Sequence, residues 1–209
     1  MAWMPRSGQV PWIKAGLFAL CLVPLGRLVY GAVANALGAN PIETITRSTG
    51  WWTLFLLMAT LTVTPLRRLA GANWLLRLRR MLGLFAFFYA CLHFLTFIWF
   101  DHWFDMAAIL KDVVKRPFVT VGFAAFLLLL PLAFTSTNRM VRRLGRNWQR
   151  LHRLVYAIAV LGVVHFWWLV KRDLTEPLVF ALVLAVLLGI RLFWRMRETR
   201  SPAAPSPAR

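Results

Sequence analysis

The chain has 209 residues, of which 60% are hydrophobic and only 15% charged, and its mean hydropathy is +0.64. That balance excludes an ordinary soluble domain. A net charge of +18 would suit a nucleic-acid partner, but the way the basic residues are sorted along the chain removes the need for one.

Six apolar stretches are long enough to cross a hydrocarbon core of about 30 Å as helices. They predict spans over 13–34, 49–66, 81–100, 117–134, 151–170 and 177–194, and hence an all-α, six-helix transmembrane bundle. With both termini on the cytoplasmic side, the inner segments and helix ends hold 18 of the 25 Lys and Arg residues and one of the 7 acids. The outer segments hold the acids Glu43, Asp101, Asp105, Asp112, Asp173 and Glu176. This is the positive-inside distribution, so topology accounts for the basicity and no nucleic acid is required.

The first span contains Pro24 and Arg27 and is long for a signal-peptide core, so it is read as a retained helix despite Lys14 and the Ala32-Val33-Ala34 run. Arg27 would either pair with a cofactor carboxylate or snorkel to the interface. Asn40–Gly50 reads as an outer loop, and with the acidic segment Asp101–Asp112 it is a candidate docking surface or a simple solvated connection. Cys21 and Cys91 lie inside apolar spans, which gives neither a disulfide framework nor a zinc site. His102, in Asp101-His102-Trp-Phe-Asp105, reads as part of a solvated interfacial turn. Trp51-Trp52 and Trp167-Trp168 read as interfacial belts.

The third and fifth spans carry the informative residues. His93 and His165 are ionisable rings inside apolar helices, where such groups are costly and are kept for a partner. The two spans echo each other, because thirteen positions separate Arg80 from His93 and His152 from His165. Thirteen residues climb about 20 Å along a helix, which sets His93 and His165 at one depth in the outer half of the membrane. Two facing imidazoles at one depth can supply both axial positions of a heme. Each could instead hydrogen-bond a neighbouring helix. Ala90 and Gly162, just before the two histidines, would let a porphyrin lie close to the backbone, or would serve ordinary helix packing.

His152 sits at the inner edge and would support a second heme, but thirteen residues place it about 140° around an ideal helix from His165. The third span offers Arg79 and Arg80 there in place of a histidine. Arg79 lies nearly four turns below His93 and is the candidate inner contact for a propionate or a flavin phosphate.

No G-x-G-x-x-G run follows a strand and no Walker loop occurs, so electrons or substrates must come from the membrane or another polypeptide. One domain is expected over 1–200, followed by a disordered cytoplasmic tail over 201–209, which is short and Pro-rich.

Several ordered motifs carry a resemblance over nearly the whole chain: Ala39-Asn-Pro-Ile-Glu-Thr-Ile-Thr-Arg-Ser-Thr-Gly50, Thr62-Val-Thr-Pro-Leu-Arg67, Arg79-Arg-Met-Leu-Gly-Leu84 with Leu92-His93, Ala133-Phe-Thr-Ser-Thr137 and Trp148-Gln-Arg-Leu-His-Arg-Leu-Val-Tyr156. They resemble the MsrQ family, the heme-binding membrane subunits of bacterial protein-methionine-sulfoxide reductase systems, within the ferric reductase-like transmembrane superfamily. The resemblance implies a multi-pass protein of the bacterial inner membrane with a ferric-reductase-like heme-binding core. It implies an electron-transfer subunit, not itself catalytic on methionine sulfoxide, that takes electrons from the quinone pool or a cytosolic flavin reductase. Its acceptor would be a periplasmic molybdopterin methionine sulfoxide reductase that repairs oxidised proteins. His93, His165 and His152 match the family's heme histidines, with one heme b expected and two open, and FMN is implied without an assigned site. The absence of an inner histidine on the third span departs from two-heme relatives. A stand-alone ferric or quinone reductase, or a heme-free proton-relay transporter using the histidines, are the alternative functions.

Overall fold

The computed structural model describes residues 8–170 and 173–200, and among them there is no strand. The expected tail, 201–209, lies outside the described residues. Among the described residues nine α-helices follow one another: α1 (Gln9–Val33), α2 (Pro41–Ala70), α3 (Leu76–Thr96), α4 (Met106–Lys115), α5 (Pro117–Phe134), α6 (Asn138–Leu144), α7 (Arg146–His152), α8 (Leu154–Leu169) and α9 (Thr175–Arg200). A 3₁₀ turn over Asn73–Leu75 precedes α3, and a π turn over Phe97–Asp101 follows it. Six helical segments are long and apolar enough to span a membrane: α1, α2, α3 with its flanking turns, α5, α7 with α8, and α9.

The predicted spans fall on these six, and the fourth coincides with α5. The largest difference is at α2. The expected loop Asn40–Gly50 is helix from Pro41 onward, because Pro41 suits the first helical position and Asn40 caps it, its Oδ1 accepting from the Glu43 N–H at 3.2 Å. At the other end Gly71 takes φ +65°, the left-handed conformation that closes a helix and favours glycine.

Helix α2 is central. Leu54, Leu57, Leu61 and Val63 are buried against Phe85, Ala86 and Tyr89 of α3 and Ile158 and Ala159 of α8. Lipid tails are as apolar as leucine, so in a bilayer this core is held by close packing and satisfied polar groups rather than by escape from water. Thr49, Thr60 and Thr62 return their hydroxyls to carbonyls four residues back, which satisfies these three groups within the helix.

Three spanning helices carry an internal proline, Pro24, Pro65 and Pro131, and at the first two another helix supplies a polar group at or beside the break. Pro24 distorts α1, and the fully buried Tyr89 of α3 inserts its hydroxyl there, donating to the Cys21 carbonyl at 2.7 Å and accepting from the Leu25 N–H at 3.2 Å. Pro65 cannot donate to the Leu61 carbonyl, and Nη2 of Arg191 in α9 donates to it instead.

Candidate functional site

His93 in α3 and His165 in α8 face each other across the bundle, their ring centres 6.1 Å apart and their planes at 76°. Each Nδ1 lies against a carbonyl of a neighbouring helix, that of His93 3.0 Å from Thr46 O in α2 and that of His165 2.7 Å from Phe118 O in α5. A carbonyl only accepts, so each Nδ1 carries the proton and donates it. Each Nε2 is left with a free lone pair. Such a tether is how proteins orient a metal-ligating imidazole.

The spacing fits one metal between the rings. A metal–imidazole bond of about 2.0–2.1 Å plus roughly 1.1 Å from nitrogen to ring centre puts two trans imidazole centres about 6.3 Å apart. Among the described residues no group of three or more His, Cys, Asp or Glu side chains could hold a metal. A metal ligated by protein alone therefore does not suit the site, whereas an iron whose four in-plane positions come from a porphyrin needs just two axial donors.

Glycines make room for both rings. A Cβ on Gly50 of α2 would stand 3.0 Å from Cε1 and 3.1 Å from Nδ1 of His93, and one on Gly122 of α5 would stand 2.7 Å from Nδ1 and 2.8 Å from Cε1 of His165. One turn before Gly50 the buried Thr46 hydroxyl has no hydrogen-bond partner among the described residues, the kind of orphan a ligand group or ordered water completes.

The two tethers are one arrangement used twice. Carbonyl and histidine are 47 residues apart in both, the glycine follows the carbonyl residue by one helical turn in both, and every member of the second set lies 72 positions after its counterpart. The pairs α2–α3 and α5–α8 are thus two copies of one histidine-bearing unit facing each other.

Of the two roles the sequence left open for the small neighbours of the histidines, helix packing is the one the structure favours. Ala90 is buried in the core and a Cβ on Gly162 would meet Leu54 of α2 at 3.3 Å, so both serve helix packing. The close approaches to the rings come from Gly50 and Gly122 on the partner helices. Gly50 stood in the stretch expected to be a loop.

The arginine-rich end is built differently. His152 ends α7, and the chain turns at Arg153 before α8 begins, so α7 and α8 are not one ideal helix. Its ring stacks on Trp148 at 4.0 Å, and its Nε2 lies 3.1 Å from the Thr135 hydroxyl, while the Trp148 indole donates to the Thr135 carbonyl at 2.9 Å. Arg80 donates to Asn138 Oδ1 at 2.6 Å. Arg79 is half-buried and makes no hydrogen bond or ion pair among the described residues, with Tyr156, Arg191 and His152 as its electrostatic neighbours. The guanidinium of Arg191 lies over the Tyr156 ring at 5.6 Å.

The remaining candidates settle as follows. Arg27 is exposed, as snorkelling requires. His102 lies in a turn whose neighbours are exposed, but its own ring is largely covered: its Nε2 lies 3.3 Å from Asp112 Oδ2, and the ring packs edge-on to Phe97 at 4.6 Å. Trp51 packs inward on Phe180 at 5.7 Å, whereas Trp168 is exposed as a belt residue would be. Cys21 and Cys91 are free thiols.

Residues 49–163 match the family described as ferric reductase like transmembrane component. The chain is 61% identical over 201 residues to the protein-methionine-sulfoxide reductase heme-binding subunit MsrQ of Herminiimonas arsenicoxydans, covering 95% of this chain and 92% of that protein. It is 56% identical over 215 residues to the protein of the same name from Azospira oryzae, with 99% and 92% covered. With that of Xanthomonas campestris pv. campestris the identity is 48% over 212 residues, covering 97% of each chain.

Proposed function

We infer the function from one premise: this chain belongs to the family of protein-methionine-sulfoxide reductase heme-binding subunits named MsrQ, built on a ferric-reductase-like transmembrane component. It is a multi-pass membrane protein of a methionine sulfoxide reductase system. Its proposed role is to carry electrons across the bacterial inner membrane, from the quinone pool or a cytosolic flavin reductase, to a periplasmic molybdopterin methionine sulfoxide reductase. The chain itself does no chemistry on methionine sulfoxide in this reading.

The observation that carries it is the tethered pair of imidazoles, each with Nε2 free and the two at a separation suited to one iron. A heme b bound there would be held by His93 and His165 and would supply a one-electron carrier. Thr46 and Phe118 fix the ring planes and the tautomers, and Gly50 and Gly122 let each ring lie on the partner helix. The distribution of arginines supports cytoplasmic termini, which puts His93 and His165 toward the periplasmic face. Delivery to a docked partner is favoured there.

His152 and Arg79 are the proposed contacts at the cytoplasmic end. Arg79, half-buried without a carboxylate partner among the described residues, suits a propionate or the phosphate of FMN. The test is an optical spectrum of the purified protein with pyridine hemochrome quantification. The expected result is a b-type Soret band that shifts on dithionite reduction; colourless, folded protein would overturn the reading.

A further inference from the structure

Helix α4 is ten residues long and joins two spanning segments, the one ending at Asp101 and the one beginning at Pro117. At about 1.5 Å per residue it covers roughly 15 Å, and both of its ends are tied to the same edge of the bundle. Its sequence has three faces. Ile109 is buried, and Val113 offers its carbonyl to the Thr120 hydroxyl of α5, so this face rests on the protein. Met106, Leu110 and Val114, spaced by one turn, are 64%, 66% and 74% exposed, and Trp103, just before the helix, is 77% exposed. Lys111 and Lys115 follow the apolar stripe by one position each and are exposed as well.

The two acidic residues nearest the stripe, Asp105 and Asp112, are turned to internal use. Asp105 caps α4, accepting from the Ala107 and Ala108 N–H groups, and Asp112 is bound by Arg116 at 3.2 Å and His102 at 3.3 Å. What α4 offers its surroundings is therefore an apolar stripe beside a row of cations. In water such a stripe of four large apolar residues is unfavourable, whereas at a bilayer surface it is the pattern of an interfacial helix, with anionic lipid phosphates opposite the lysines.

The geometry points to α4 as a helix lying in the headgroup layer of the bilayer, with Trp103, Met106, Leu110 and Val114 in the acyl-chain boundary and Lys111 and Lys115 among lipid phosphates. The occupant of this face is lipid. The assignment rests on the membrane-spanning fold and not on the heme reading. It reaches the histidines nonetheless, because Arg116 and Thr120 fasten α4 to the first turns of α5, and the Phe118 carbonyl that orients His165 lies between them. A lipid-held α4 would fix the height of that carbonyl.

Spin labelling of the full chain in vesicles of phosphatidylethanolamine and phosphatidylglycerol tests this. In a Cys21→Ser, Cys91→Ser background, nitroxides would be attached at Leu110→Cys, Val114→Cys and Lys111→Cys, with circular dichroism and monodisperse elution as controls on folding. The expected result is a ratio of oxygen to water-soluble nickel-chelate collision rates several-fold higher at 110 and 114 than at 111. Two positions on the stripe keep the test decisive if one variant fails to fold. Equal nickel access at 110, 114 and 111 would overturn the proposal. So would nickel access at 110 that disappears only when the soluble reductase subunit is added, since that surface would then belong to a protein partner.

Discussion

The His93–His165 layer is built on the units α2–α3 and α5–α8, and the His152 layer on the start of α3 and on α7, which leads into α8, yet only the first is symmetric. In the first, carbonyl, glycine and histidine recur 72 positions apart, and both imidazoles are tethered alike. In the second, the position matching His152 is Arg80, which bonds Asn138, while His152 is occupied with Thr135 and Trp148. A symmetric pair of neutral donors suits a ligand that is itself nearly symmetric, such as an iron porphyrin. An end with arginines on one unit and a histidine on the other suits a polar, one-sided group. The duplicated layer is therefore the redox centre of the reading above, and the unduplicated layer is where a donor or an anionic group would be received.

The comparison can be broken at several points. The largest expected effect is from His93→Ala or His165→Ala, each of which removes most of the Soret absorbance per protein, because one axial donor is lost in a site that has just two; an unchanged band in both would refute the pairing. Gly122→Ala comes next. Its Cβ would fall 2.7 Å from the His165 ring, against 3.0 Å for Gly50→Ala at His93, so heme retention measured by pyridine hemochrome should fall for both and further for Gly122→Ala, with overpacking costs of about 1–3 kcal/mol. The reverse order would break the correspondence between the two rings' environments.

Tyr89→Phe should cost about 0.5–1.5 kcal/mol by removing the hydroxyl that bridges the Cys21 carbonyl and the Leu25 N–H of α1. A lower midpoint of thermal unfolding in detergent would register it, and heme per folded chain should hold nearly constant. The smallest effect is expected from His152→Ala, which should leave the Soret band of the duplicated layer in place. Loss of half the hemochrome in that variant would mean that the second layer also ligates iron.

The histidine pairing was legible because side chains carry it: two costly rings, equal intervals from a basic start, and a charge pattern from which a direction is predicted. Their tethers were not legible, because Thr46 and Phe118 act through main-chain carbonyls, which every residue possesses. Gly122 gave no signal by itself, since its role appears only when α5 meets α8. The opening turns of α2 were read as loop because Glu43, Thr44, Thr46, Arg47 and Ser48 lower hydropathy, a scale that measures lipid contact and not helicity; the Asn40-Pro41 cap was the available clue. The extension of α9 to Arg200 was missed in the same way, since its last turns are rich in arginine. Helix α4 escaped because ten amphipathic residues cannot register in a search for spans of about twenty.

Pro65 sets a condition on how the protein is made. The carbonyl of Leu61 has no donor within α2, and the group that satisfies it, Arg191, emerges from the ribosome 130 residues later. At about 5–20 residues per second, synthesis leaves that carbonyl waiting on the order of ten seconds. Through that interval the second helix must borrow water or a lipid headgroup, or remain near the membrane surface, because an unmatched carbonyl in hydrocarbon costs several kcal/mol. A helix translated long after α2 is thus the one that lets α2 settle to its final depth.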